Sequence, residues 1–184
     1  MQRLLELARR WREPSWPERQ EAVAQALAAS DFLTEEAAAF ALNQQMHVLT
    51  ESVLRRFVES LPPPSGRTVL LWQTDRAPLA GWQEALLLWL SGHRGTLVLA
   101  EPAATLVGAL LQALAVDTIH LDTEPRLETR LEAADVLVVV GDEAVHQEVQ
   151  EALARVRRPP ERVRLLPMRY GAAVLDGRET PDEL

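Results

Sequence analysis

The 184-residue sequence contains no cysteine. That excludes disulfides, thiolate metal sites and a cysteine nucleophile within it at one stroke. Lysine is absent too, so all 19 basic side chains are arginines. Neither a Schiff-base amine nor a point-charge phosphate lysine is available, and every cation is a planar, permanently charged fork. Long apolar runs are also missing. Ala85–Leu90 and Val136–Val140 are among the longest, far short of the ~20 residues that a membrane-spanning helix needs. The opening Met1-Gln2-Arg3-Leu4-Leu5-Glu6 is amphipathic with mixed charge and has no signal-peptide core. A soluble, cytoplasmic chain is expected. Positive charge is in deficit, 19 basic against 27 acidic residues, for a net charge of −8. Such a field repels nucleic acid and anionic lipid. The densest basic stretch, Arg155-Val156-Arg157-Arg158, closes a helical pattern, where cations complement the helix dipole. No nucleic-acid or membrane partner is expected.

What is present is ordinary globular material, 47% hydrophobic and 25% charged, enough to bury a core and stay dissolved. Two grammars divide it. Residues 1–61 read as a helical region. Leu4, Leu5, Leu7 and Ala8 form a stripe; Ser15-Trp16-Pro17-Glu18 has capping-box spacing ahead of Ala22, Val23, Ala26 and Leu27. Thr34 opens a further helix through about Met46, and Thr50 opens a fourth with Val53, Leu54, Phe57 and Val58 on its inner face. Pro62-Pro63-Pro64-Ser65-Gly66 then acts as a stiff boundary. Beyond it, residues 67–184 alternate short apolar runs with helical segments. Strands are expected at Thr68–Trp72, Thr96–Leu99, Thr118–Leu121, Val136–Val140, Val163–Leu166 and Ala172–Leu175. Helices are expected at Leu79–Leu90, Ala103–Leu114, Arg126–Glu132 and Glu143–Arg155. Strands apolar on both faces and separated by helices predict a mostly parallel, Rossmann-like α/β sheet with flanking helices, preceded by the helical region.

Ligands of such a sheet bind beyond the carboxyl ends of its strands. Gln73-Thr74-Asp75-Arg76-Ala77-Pro78 follows the first strand, with Pro78 suited to a first helical turn. An anion held by Arg76 and helix amides is one reading there, and a plain turn with a solvated Asp75–Arg76 pair is the other. Glu101 serves either a ribose hydroxyl or the start of a helix. Gly141 permits close backbone approach by a phosphate, but Asp142 and Glu143 already occupy the positive helix end. No Gly-x-Gly-x-x-Gly and no Gly-x-Ser-x-Gly occurs. His47, His93, His120 and His146 are too far apart in sequence for ligand pairs, so no metal is expected. Trp72, Trp82 and Trp89 lie in the apolar pattern and are expected to pack.

Several stretches carry a family resemblance. Ala77-Pro78-Leu79-Ala80-Gly81-Trp82 runs into Trp89-Leu90-Ser91-Gly92-His93-Arg94, and later come Arg169, Ala172-Ala173-Val174-Leu175-Asp176-Gly177 and Glu179–Leu184. Together with Leu42-Asn43 and Leu49-Thr50-Glu51, these resemble the N-terminal, cofactor-binding part of acyl-CoA reductases of the aldehyde dehydrogenase superfamily, including the fatty-acyl-CoA reductases of bacterial luminescence. The resemblance implies NADPH-dependent reduction of an acyl thioester to an aldehyde, through a cysteine that takes up the acyl group. In that family the cysteine lies shortly after the point where this sequence stops. The family's Gly-Asn falls here on Asp75-Arg76, its strand-ending lysine near Leu99, and its Gly-Ser turn on Gly141-Asp142. Gly141 alone carries over, as a cofactor contact; no catalytic residue and no metal ligand does. Two functions follow. One is a degenerate, non-catalytic binding or assembly module that takes no cofactor. The other is the cofactor-binding subunit of a split acyl-CoA reductase. Either leaves an apolar face to be covered by a homodimer or a protein partner.

Overall fold

The computed structural model describes residues 1–61, 63, 66–122 and 127–167. Its centre is set by the two most apolar strands. β1 (Thr68–Gln73) and β4 (Val136–Gly141) present aliphatic side chains to both faces and so need cover on both. They pair in parallel, Leu70 opposite Leu137 and Trp72 opposite Val139. With β2 (Arg94–Leu99), β3 (Ile119–Leu121) and β5 (Arg162–Pro167) the described residues form a five-stranded parallel sheet of order β3-β2-β1-β4-β5. The winding direction reverses between β1 and β4, the topological switch point of a Rossmann-like fold.

The helices divide between the two faces accordingly. α5 (Trp82–Leu90) and α6 (Ala103–Ala113) share a core with Val69, Leu71 and Leu97. α7 (Leu127–Ala133) and α8 (Glu143–Arg155) pack with Leu70, Leu137 and Val139 on the other face. Leu97, Leu106, Leu110 and Leu131 are wholly enclosed, each stabilising the fold by roughly 1.5–3 kcal/mol through burial.

The helical region joins the first of these cores. α1 (Gln2–Trp11), α2 (Pro17–Ala29), α3 (Glu35–Val48) and α4 (Glu51–Ser60) contribute Leu4, Trp11, Ala22, Ala26, Leu42, Met46 and Leu54 to it. α2 lies along α6; its alanines Ala22 and Ala26 are buried and let the helices approach closely. Two arginines lock the arrangement. Buried Arg19 donates from one nitrogen to the Trp11 carbonyl at 2.6 Å and to Asn43 Oδ1 at 3.0 Å. Arg12 donates twice to the Met46 carbonyl, at 2.9 and 3.1 Å, satisfying an end-of-helix acceptor that has no partner within its own helix.

Thr34 and Thr50 cap α3 and α4 through the amides of Ala37 and Val53, as their positions predict. Three expectations are corrected. The capping box at Ser15 does not form: extended Trp16 takes the N-cap position with no side-chain cap, because a residue before proline is driven out of helical geometry. Pro78 lies in a turn before the helix, since Gly81 at φ +84° is the N-cap of α5. On α4, Leu54 is buried, but Val53 and Val58 are 39% and 43% exposed. The expected strand at Ala172–Leu175, Arg169 and the closing Glu179–Leu184 lie outside the described residues, as do Pro62, Pro64 and Ser65 of the boundary segment.

Candidate functional site

The switch-point crevice opens where β1 and β4 end. Gln73, the last residue of β1, is 8% exposed, and its Oε1 has no hydrogen-bond partner. Thr74 ties the two strands together, its amide donating to the Val140 carbonyl at 3.1 Å and its hydroxyl to the same oxygen at 3.4 Å. Asp75 turns back on its own chain to accept from the Ala77 amide at 2.9 Å, an Asx turn that shapes the loop into α5. The Asp75–Arg76 pair considered from the sequence is thereby replaced by two separate contacts. Arg76 places its guanidinium over the Phe32 ring, 5.5 Å from its centroid, a contact between the α2–α3 connection and the sheet that sequence order conceals.

Two glycines close this edge rather than opening it. At Gly81 a Cβ would lie 2.6 Å from Leu99 Cδ2, so glycine is needed both for the positive φ and for that approach. At Gly141, buried at the end of β4, a Cβ would meet Val145 Cγ1 at 2.9 Å and Thr74 Oγ1 at 3.3 Å. The space freed by this glycine is filled by the first turn of α8 and the β1 loop. Asp142 then accepts from the Val145 amide at 3.0 Å, satisfying an N-terminal donor of α8 with the chain's own carboxylate.

The other strand ends are occupied in the same local way. Glu101, beyond β2, accepts from the Thr105 amide and hydroxyl at 3.3 and 2.8 Å, which matches the helix-start reading. Asp122, beyond β3, is 2.5 Å from Arg130 Nε, and Arg130 Nη2 is buried without a partner. The histidines stay apart. His47 contacts the Asn43 carbonyl within α3, His146 the Leu166 carbonyl, and His120 is exposed on β3. Among the described residues no group of three His, Cys, Asp or Glu could hold a metal ion. Trp82 is fully buried and Trp72 and Trp89 are half-buried, as the packing reading requires. Gln73 and the Phe32–Arg76 contact went unrecognised in the sequence; a glutamine closing a β-rich run is the only signal the former leaves.

One carboxylate also ties up two arginines of the first helix. A groove of about 720 Å³ between α1, α2 and α6 is lined by Arg9 and Arg10, but Glu6 binds both, at 2.8 Å each. Hydrogen bonds from Arg9 and then Arg10 lower the Glu6 pKa from 4.5 to about 2.

No protein-family model matches the chain, and no curated protein does. Among solved structures, its fold is similar to that of an NAD-dependent benzaldehyde dehydrogenase from Corynebacterium glutamicum, at a TM-score of 0.60 and 14% identity, covering 90% of this chain and 41% of that one. It is also similar to a proposed aldehyde dehydrogenase from Bacillus subtilis, at a TM-score of 0.58 and 12% identity, covering 92% and 42%. The chain thus spans about two fifths of the length of either neighbour. At this identity the likeness is one of fold.

Proposed function

We propose that this chain is an acyl-CoA-reductase-like relative of the aldehyde dehydrogenases that acts as a non-catalytic binding or assembly module. The observation that carries the reading is the closure of the α8 N-terminus by Asp142, with Gly141 packed against Val145. The resemblance implies NADPH, and Gly141 would be the residue nearest its diphosphate. The residues there do not fit such a group. A phosphate drawn to this helix end meets the exposed Asp142 carboxylate, and like-charge repulsion there opposes the roughly 0.3–1 kcal/mol that a helix N-terminus returns to an anion. Glu143 adds further negative charge in the first turn, and the Val145 amide is already engaged. With no cysteine in the sequence, no acyl-enzyme step is assigned to it.

The domain plan that goes with this reading is a helical region at 1–61 and a Rossmann-like domain at 67–184. No helix among the described residues is long and apolar enough to cross a membrane, and the net charge of −8 disfavours nucleic acid. We assign the module to the cytoplasm as part of this proposal, working as a homodimer or with a protein partner.

A second reading, the cofactor-binding subunit of a split acyl-CoA reductase, is favoured by one specific observation. The β3-β2-β1-β4-β5 order puts a switch point where dinucleotides bind in this class of fold. NADPH titration separates the two, followed through tryptophan fluorescence with Trp72 on β1 as the near reporter. The module reading expects no saturable change up to millimolar cofactor. Saturation at micromolar concentration would overturn it in favour of the split enzyme.

A further inference from the structure

Among the described residues, the winding that builds the switch point also leaves part of the sheet uncovered. On the α5–α6 face, the helices cover β1, β2 and β3, while α7 and α8 lie on the opposite face. Between α5 and β5 runs a groove of about 590 Å³. Val69, Val136 and Val138 form its floor, Leu87 of α5 stands on one side, and Arg162 and Arg164 of β5 stand on the other. Val136 and Val138 are only half-buried, and Leu87 is 43% exposed. A strand reading Val-Leu-Val-Val-Val is built for cover on both faces, and one face lacks it here among the described residues.

Shape and charge define what fits. From β1 across to β5 is two strand spacings, ~10 Å, the diameter of one α-helix with its side chains. Arg162 and Arg164 alternate along β5 and so project from the same face ~7 Å apart, close to the ~5–6 Å between side chains three or four apart on a helix. Neither guanidinium meets a carboxylate among the described residues, and no acidic side chain lines the groove. In a chain with 27 acidic and 19 basic residues, this is a local reversal of sign over an apolar floor.

We infer that this groove docks an amphipathic helix of a partner protein, one with a small aliphatic stripe and a row of Glu or Asp along its edge. The inference rests on the assembly-module reading above. The valines take the aliphatic stripe, and the arginines take the acids as bidentate partners, fixing the direction in which the helix lies.

The test uses the full chain and two fluorescently labelled synthetic helical peptides of about five turns. Both carry the same Leu/Ala stripe, edged in one by Glu and in the other by Lys. The Glu peptide is expected to raise anisotropy saturably, with affinity falling as salt rises, and the Lys peptide to leave it flat. The R162E/R164E double variant should weaken the Glu peptide at least ~10-fold and take up the Lys peptide instead. L87E should weaken the Glu peptide, with circular dichroism and melting temperature of each variant unchanged. Equal binding of the two peptides, no binding of either, or indifference to R162E/R164E overturns the inference. So does a light-scattering dimer that R162E/R164E dissociates, which gives the groove to a second copy. Cofactor titration on the same samples keeps the failures distinct. Peptide failure without NADPH uptake removes only the docking helix, whereas NADPH uptake removes the module reading itself.

Discussion

Replacing Arg19 with Met is the sharpest test of how the helical region is held. The substitution keeps an apolar stem in a position that is 3% exposed and deletes a guanidinium that bonds the last residue of α1 and the middle of α3. Two effects oppose each other. Burial lowers the Arg19 pKa, so removing the charge relieves a desolvation cost. Against that, the Trp11 carbonyl loses its side-chain donor at a helix end, where no intrahelical amide can replace it. A buried acceptor left unsatisfied costs about 1–3 kcal/mol, and hydrogen bonds to charged donors sit at the upper end. Asn43 is only half-buried and can turn to water, which limits its share. A net loss of about 2 kcal/mol is expected, lowering the melting temperature by about 4–8 °C for a chain of this size. Urea and thermal unfolding followed by far-ultraviolet circular dichroism would measure it. Arg9→Met serves as control, because that side chain is 69% exposed and should change stability by less than ~0.5 kcal/mol. If Arg19→Met falls within ~0.5 kcal/mol of the parent, the guanidinium is not a clamp and the account of the helical region fails.

Three further outcomes follow from the same geometry. Gly141→Ala should destabilise by about 1–3 kcal/mol, as overpacking does, and Val145→Ala in the same chain should recover part of it; equal losses with and without Val145 in urea unfolding would refute the packing role of the glycine. Asp142→Ala should cost about 1 kcal/mol as a lost helix cap, with Asp142→Asn nearly neutral; hydrogen exchange at the Val145 amide reports the cap directly. Glu6, whose folded pKa lies below its ordinary value, contributes stability that is fully present above about pH 4.5 and fades as the pH falls toward 2; carboxyl chemical shifts titrating near 4.5 would show that Arg9 and Arg10 do not hold it in solution.

The sheet was legible because its strands carry their instructions locally. β1 and β4 are apolar on both faces, and their short length, β-branched content and flanking turn residues separate such runs from a buried helix. The caps at Thr34, Thr50 and Asp142 were legible for the same reason, since each lies within three residues of the amide it serves. What escaped depends on partners distant in sequence. Gln73 is buried because α5 and β2 close over the end of β1, and Arg76 is drawn away from Asp75 by Phe32, 44 positions earlier. Val53 and Val58 follow a helical period that suggests an inner face, yet the structure brings only Leu54 fully into the core. Periodicity states which side of a helix is apolar, and only tertiary packing decides how much of that side is covered.

Gly141 concentrates the functional question in one atom that is missing. A glycine between a central strand and a helix has the same appearance in sequence whether a phosphate or the chain itself uses the space. The structure gives two independent signs of self-use. Val145 and Thr74 stand within 2.9 and 3.3 Å of where a Cβ would be, and the following carboxylate engages the α8 amide. A phosphate site needs the opposite on both counts, free amides and room above the glycine. Converting one into the other takes more than removing the Asp142 charge, because Val145 would still fill the cradle. The double change Asp142→Ala with Val145→Ala is therefore the smallest one that meets both requirements. If either single change sufficed to produce NADPH binding, charge or packing alone would be the barrier, and the crevice would be a suppressed cofactor site rather than a closed one.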